Sequence, residues 1–260
     1  MGKAVVLKSP AEIEIMRAAN RIVADTLVML AERIKPGLTT WQLDAWAEEA
    51  ARQRGGIPSF KGYRGFPGSL CVSINEEVVH GIPSKKVMLR EGDIVSIDFG
   101  VKYQGYHGDA AITVAVGEVD TRKRDLMRVT EESLLKGIEQ VRVGNRINDI
   151  SRAVQEHVER HGFSVVRQFV GHGIGSQLHE APEIPNYVRS EWTPRLLAGM
   201  VLAIEPMVNI GAAEVKVLAD GWTVITKDRL PSAHFEHSVA VTDDGPLILS
   251  ERRMNFPASA

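Results

Sequence analysis

Residues 90–116 read REGDIVSIDFGVKYQGYHGDAAITVAV, two runs rich in β-branched residues on either side of a polar, glycine-bearing stretch. That composition predicts two strands joined by a turn. Side chains alternate across a strand, so Ser96 and Asp98 share one face while Val95, Ile97 and Phe99 take the other. In the return strand Asp109 and Thr113 lie together, opposite Ile112 and Val114. With the turn at Tyr103–Gln104, both aspartates project from one face of a hairpin. Two carboxylates that close repel and raise each other's pKa unless a cation sits between them.

Compared with itself, the sequence shows one offset, 107. Gly37, Gly55 and Gly92 match Gly144, Gly162 and Gly199, and the offset also carries Asp98 onto Glu205, Arg17 onto Arg124, Arg21 onto Arg128 and Leu27 onto Leu134. Each half, about 13–117 and 120–250, reads as a long helix, a turn at Gly37 or Gly144, a second helix, and strands. WQLDAWAEEAARQRG places Leu43, Trp46, Ala47, Ala50 and Ala51 near one face, and INDISRAVQEHVERHG does the same with Ile147, Ile150, Val154 and Val158. IVSIDFGV and VLAIEPMV read as strands. The expected fold class is α+β, with two pseudo-symmetric halves sharing one sheet around a cleft. No Pro/Gly/Ser-rich linker divides them, so residues 1–260 are expected to form a single domain.

Composition narrows the partners. A balance of 31 basic against 33 acidic residues, without long runs of either sign, gives no electrostatic case for nucleic acid or an anionic membrane. No stretch approaches the roughly 20 apolar residues that span a bilayer. A lone cysteine, Cys71, rules out an internal disulfide framework or a multi-cysteine zinc site and fits a reducing compartment, the cytoplasm.

Glu205 closes an apolar strand before Pro206, and Glu236 in SAHFEHSVAV sits in another strand with His234 and Ser238 on its own face. An acid after an apolar strand is commonly a surface residue. Asp98, Asp109, Glu205 and Glu236, tied by strand parity and the repeat, instead form with at least one histidine a hard, oxygen-rich set. It suits two divalent ions such as Mn²⁺, Fe²⁺ or Co²⁺. In the stretch 169–182, FVGHGIGSQLHEAP, the glycines are spaced two apart and Pro182 and Pro185 follow, so a phosphate-binding turn into a helix is excluded. The expectation is that these glycines admit a substrate close to the backbone while His172 and His179 point inward. His80 is a further candidate; His107, His157, His161, His234 and His237 are taken as ordinary polar residues.

Asp98 in SIDFGV, Asp109 in HGDAAIT, His172 in GHGIG, Glu205 in AIEPM and Glu236 in HFEHS resemble, in order and spacing, the five metal ligands of the methionine aminopeptidases, the pita-bread metallopeptidases. The similarity runs from about Ile13 to about Ser250, with HGIP and GHGIGxxxHExP between the ligand motifs. It is closest to the short, bacterial-style type I enzymes, since 31 positions from Glu205 to Glu236 leave no room for the helical insertion of type II.

The resemblance implies a pita-bread (creatinase/aminopeptidase) fold, with a curved antiparallel sheet and helices outside. It implies two divalent ions per chain (Co, Fe or Mn, with Zn or Ni as further members), and water activated by the pair attacking the first peptide bond. The expected activity is removal of the initiator methionine from nascent chains with a small second residue, by a cytoplasmic monomer near the ribosome. Asp98 would bind one metal with both oxygens, Asp109 and Glu236 would bridge, and His172 and Glu205 would complete the other shell. Glu205 would shuttle the proton, and His80 and His179 would hold the peptide. Phe60, Tyr63, Phe66, Cys71, Leu178 and Trp222 would line the methionine pocket, where Leu178 and Phe60 depart from the residues common in relatives. Alternatives are a proline-directed peptidase of the same fold, an inactive pita-bread binding module, or a cysteine hydrolase using Cys71 and His80. The terminal NFPASA, 255–260, is expected to be disordered.

Overall fold

The computed structural model describes residues 4–252; the terminal NFPASA lies outside them. The first half runs through α1 (Pro10–Arg33), α2 (Thr40–Gln53), β1 (Ile57–Pro58), β2 (Cys71–Ile74), β3 (Glu77–Val79) and the long hairpin β4 (Ile94–Tyr103) and β5 (Tyr106–Ala115). The second half opens with α3 (Thr121–Glu139) and α4 (Ile147–Arg160), then β6 (Ser164–Val165), β7 (Gly171–Gly173), β8 (Glu180–Ile184) and β9 (Val201–Ile204). It closes with β10 (Met207–Asn209), β11 (Val215–Val217), β12 (Val224–Thr226), β13 (Ser232–His234), β14 (Glu236–Thr242) and β15 (Gly245–Ile248).

Local chemistry sets the helix ends. Ser9 and Glu12 form a reciprocal capping box on α1, with Pro10 in its first turn, and Thr39 and Gln42 do the same for α2. The offset of 107 recurs in the element bounds. Both ends of α2 and α4 are 107 residues apart, as are the starts of β1 and β6 and of β4 and β9. Gly37 (φ 90°) and Gly144 (φ 93°) turn the same corner, a left-handed conformation in which a Cβ is strained, and their N–H groups donate to Leu89 and Leu196.

One antiparallel nine-stranded sheet takes strands from both halves in the order β1-β4-β5-β14-β9-β7-β8, with β2 also on β4 and β15 also on β14. The halves meet where β5 pairs β14, with Glu236 opposite Ala111 and His237 opposite Ala110. Val95, Ile97, Phe99 and Val101 of β4 are buried with Ile22, Val23 and Leu27 of α1 in the main core. Gly108 of β5 lets α1 come so close that a Cβ there would fall 2.6 Å from the Asn20 backbone nitrogen. The helices cover this face; the other is free to form a cleft.

The expected turn is displaced. Tyr103 pairs with Tyr106, so the two-residue turn is Gln104–Gly105, both at positive φ (47° and 91°), as a tight hairpin of this twist requires. Moving the turn by one residue shifts the pairing by two, so the faces of Asp98 and Asp109 are unchanged. SAHFEHSVAV is two strands rather than one: it breaks at Phe235, and β13 pairs β10 in a separate sheet.

Candidate metal centre

Register brings the five candidate ligands onto one face. Asp98 of β4 lies opposite Ala111 of β5, and Ala111 opposite Glu236 of β14. Asp109 is two residues from Ala111 and shares its face. His237 pairs with Ile204, which places Glu205, just past the end of β9, alongside Glu236. His172 pairs with Ala203, two residues before Glu205. Because antiparallel partners project to the same side, all five side chains enter the cleft.

The atoms converge accordingly. Ligand atoms of Asp109, His172 and Glu236 lie within 4.8 Å of one another, and His172 Nε2 is 3.5 Å from Glu205 Oε1. His172 Nδ1 is 2.9 Å from the Gly173 carbonyl, which can only accept; the proton therefore sits on Nδ1 and Nε2 offers its lone pair. Burial pushes the Asp98 carboxyl up to about 7. Burial, then the neighbouring carboxylates, raise Asp109, Glu205 and Glu236 well above the carboxylate range.

Asp98 Oδ1, Asp109 Oδ1 and Glu236 Oε1 are buried with no hydrogen-bond partner. Orphaned carboxylate oxygens are costly, and nothing among the described residues satisfies these three. Divalent cations would: four carboxylates balance two dications, and oxygen donors with one imidazole match Mn²⁺, Fe²⁺ or Co²⁺. The residues present therefore fit the metal pair.

A cavity of about 140 Å³ extends from this cluster, room for a side chain rather than a single water. Its wall carries Asp98, Asp109, His172, Glu205 and Glu236 with His80 and His179, and on the apolar side Phe60, Tyr63, Phe66, Cys71, Leu178 and Trp222. Every site residue expected from the sequence faces this one space. Phe66 and Trp222 meet edge to face at 5.1 Å, and Tyr63 stacks on His179 with its hydroxyl 3.0 Å from Nδ1. His80 sits at φ 60°, held edge-on to Phe169 and Trp222, and burial lowers its pKa to about 4. Desolvation and then His172 hold His179 down to about 3, although the residue as a whole is exposed. Cys71, opposite Asp98, has its thiol pushed well up by burial and then by Asp98. It makes a poor nucleophile, and His80 carries no charge to activate it.

Two expectations change. Gly171 and Gly173 do not open space for a substrate: Cβ atoms there would lie 2.3 Å from the Ala203 carbonyl and 2.2 Å from that of Ala181, so these glycines let β7 lie between β9 and β8. His234, taken as an ordinary polar residue, is fully buried with Nε2 unpartnered and 3.7 Å from Glu205 Oε2. Its shared parity with Glu236 was the available signal. Arg64, which also lines the cavity and lies over the Tyr63 ring, and Phe169 against His80 left no sequence signal.

The chain belongs to metallopeptidase family M24, whose model matches residues 14–243, and it has the pita-bread fold of that family, which uses divalent metal. It is 54% identical to methionine aminopeptidase 1 of Bacillus subtilis (strain 168) over 246 residues, 95% of this chain and 99% of that protein. A methionine aminopeptidase of Clostridium acetobutylicum is 53% identical over 246 residues, 95% of this chain and 98% of that one. The crystal structure of methionine aminopeptidase from Thermotoga maritima matches with a TM-score of 0.94 at 46% identity, covering 96% of this chain and all of the other. No helix among the described residues is long and apolar enough to cross a membrane.

Proposed function

We propose that this chain is a methionyl aminopeptidase that removes the first methionine from polypeptides with a small second residue. The observation that carries this is the single cavity in which carboxylates and histidines at one end meet an aromatic-lined apolar end. A flexible thioether packs well on aromatic faces, so Phe60, Phe66 and Trp222 suit a methionine side chain, with Tyr63, Cys71 and Leu178 completing the wall.

Asp98, Asp109, His172, Glu205 and Glu236 would hold two divalent ions, which supply Lewis-acid polarisation and lower the pKa of the attacking water when bound. His80 and His179, both neutral near pH 7 by their lowered pKa values, would hold the peptide. If the Tyr63 hydroxyl donates to His179 Nδ1, Nε2–H is left to donate to the scissile carbonyl oxygen as charge develops there. Glu205, which lines the same cavity, would take a proton from the attacking water and return it to the leaving amine. In the cell we place this activity in the cytoplasm, on nascent chains near the ribosome, as a monomer loaded with Co, Fe or Mn.

The test is hydrolysis of Met-Ala-Ser against Ala-Pro-Ala by metal-depleted protein titrated with Mn²⁺, Fe²⁺ or Co²⁺, with His172→Ala as control. Metal-dependent methionine release, lost in the variant, is expected. Cleavage of the proline peptide alone would move the chain to a proline-directed specificity, and folded, metal-loaded protein inert on both would make it a binding module.

A further inference from the structure

A second set of metal-ligating side chains lies away from the cleft, on α3 and α4. His157, near the end of α4, and His161, its C-capping residue, are four apart on one helix face, and Glu132 of α3 stands opposite. One ligand atom from each of the three lies within 4.8 Å of the other two. His157 Nε2 is 3.0 Å from Glu132 Oε2, and the two imidazole rings are tilted with centroids 4.6 Å apart.

The tautomer of His161 is set by the backbone. Its Nδ1 lies 2.8 Å from the His157 carbonyl, which can only accept, so Nδ1 carries the proton and Nε2 presents a lone pair. His161 is exposed, giving an ion access, while His157 and Glu132 are half-buried between the helices. Two imidazoles without a hydrogen bond between them gain little from this proximity; a shared cation gives it a purpose. Arg128 is the competing charge: its Nη1 donates to both Glu132 oxygens at 3.0 and 3.1 Å, and its Nη2 donates to Asp125. It anchors the carboxylate in place, as a ligating carboxylate is anchored in known metal sites.

We propose that Glu132, His157 and His161 form a surface site for one first-row transition-metal ion of the Ni²⁺, Cu²⁺ or Zn²⁺ type, which clips α3 to α4. Its two-imidazole, one-carboxylate set is softer than the oxygen-rich cluster in the cleft, so the two sites differ in preference. The proposal does not depend on the peptidase reading.

Equilibrium dialysis against Zn²⁺ tests it, comparing the intact chain with His161→Ala and with His157→Gln. His161 lies exposed past the last helical turn, so its replacement leaves the fold intact, as circular dichroism would verify. The intact chain is expected to hold one more zinc than either variant at equal free metal, and the Cu²⁺-loaded His172→Ala chain, whose five-residue cleft set has lost its imidazole, should show electron-paramagnetic coupling to two imidazole nitrogens that a further His161→Ala reduces to one. Peptidase activity with Mn²⁺ should be equal in the intact chain and His161→Ala. Equal zinc stoichiometry in all three proteins, or an extra zinc that survives His161→Ala, would overturn the proposal.

Discussion

Replacing Lys8 by methionine isolates one buried charge. Lys8 reaches from the segment before α1 to Glu180 at the start of β8, with Nζ 2.5 Å from Glu180 Oε2; the two side chains are only 2% and 8% exposed. Nζ also donates to the Val6 carbonyl, Glu180 Oε1 accepts from the Gln177 N–H, and the Lys8 N–H donates to Gly199. Methionine keeps the length of the side chain but strands the Glu180 carboxylate without its cation. Breaking a buried pair from one side costs about 3–5 kcal/mol. At about 2–4 °C per kcal/mol for a chain of this size, Lys8→Met should lower Tm by roughly 6–20 °C. Adding Glu180→Gln removes the stranded charge, so the double variant should recover much of the loss. Urea or thermal unfolding of the four chains of this cycle gives the coupling energy directly. A Lys8→Met cost below about 1 kcal/mol, or a coupling indistinguishable from zero, would refute the reasoning. Because Glu180 follows His179, the same variant should also slow peptide hydrolysis more than it weakens substrate binding.

The carboxylates of the cleft set a pH dependence of stability in the absence of metal. Asp98 is raised from 3.8 to about 7, so the folded chain holds protons that the unfolded chain releases, and the stability of metal-free protein should fall as pH rises through that window. Adding Mn²⁺ at neutral pH should expel those protons, read by calorimetry in buffers of different ionisation enthalpy; a metal-free Tm that stays flat or climbs from pH 4 to 7 would contradict this. Gly108→Ala forces a Cβ to 2.6 Å from the Asn20 backbone nitrogen, whose side chain also accepts from the Asp109 N–H. It should lower the urea midpoint by an amount equivalent to about 1–3 kcal/mol. Cys71, with its thiol buried and its pKa raised, should resist iodoacetamide at pH 8 in the native protein and react once it is unfolded; rapid native labelling with loss of activity would restore the cysteine-nucleophile reading.

What could be read from the sequence was local or periodic. Alternation in 90–116 assigns Asp98 and Asp109 to one face whichever of two adjacent turns is chosen, because parity survives the shift from Tyr103–Gln104 to Gln104–Gly105. The offset of 107 exposes helix ends because glycines at left-handed corners cannot drift by a residue without strain. Contacts between distant strands leave no such trace. The pairing of Glu236 with Ala111, which completes the row of acids, spans 125 residues and follows from no local pattern. The break at Phe235 was missed for the same reason, since only the separate pairing of β13 with β10 shows it. The roles of Gly171 and Gly173 were misread because a glycine needed beside a ligand and one needed beside a neighbouring strand look identical in sequence.

The seam between β5 and β14 gives the molecule a direction. Two identical copies related by a two-fold axis at that seam would present the same acids from both sides, and a ligand on the axis would meet both its ends alike. Within one chain the copies are free to diverge: the first half offers Asp98 and Asp109, the second Glu205 and Glu236, each longer by one methylene. His172 falls, in the register of 107, on Gly65, which has no ligating group. A peptide has an amino end and a carboxyl end that differ, and a cradle that is to tell them apart must have two unlike sides, which halves joined in one chain permit and a symmetric dimer forbids.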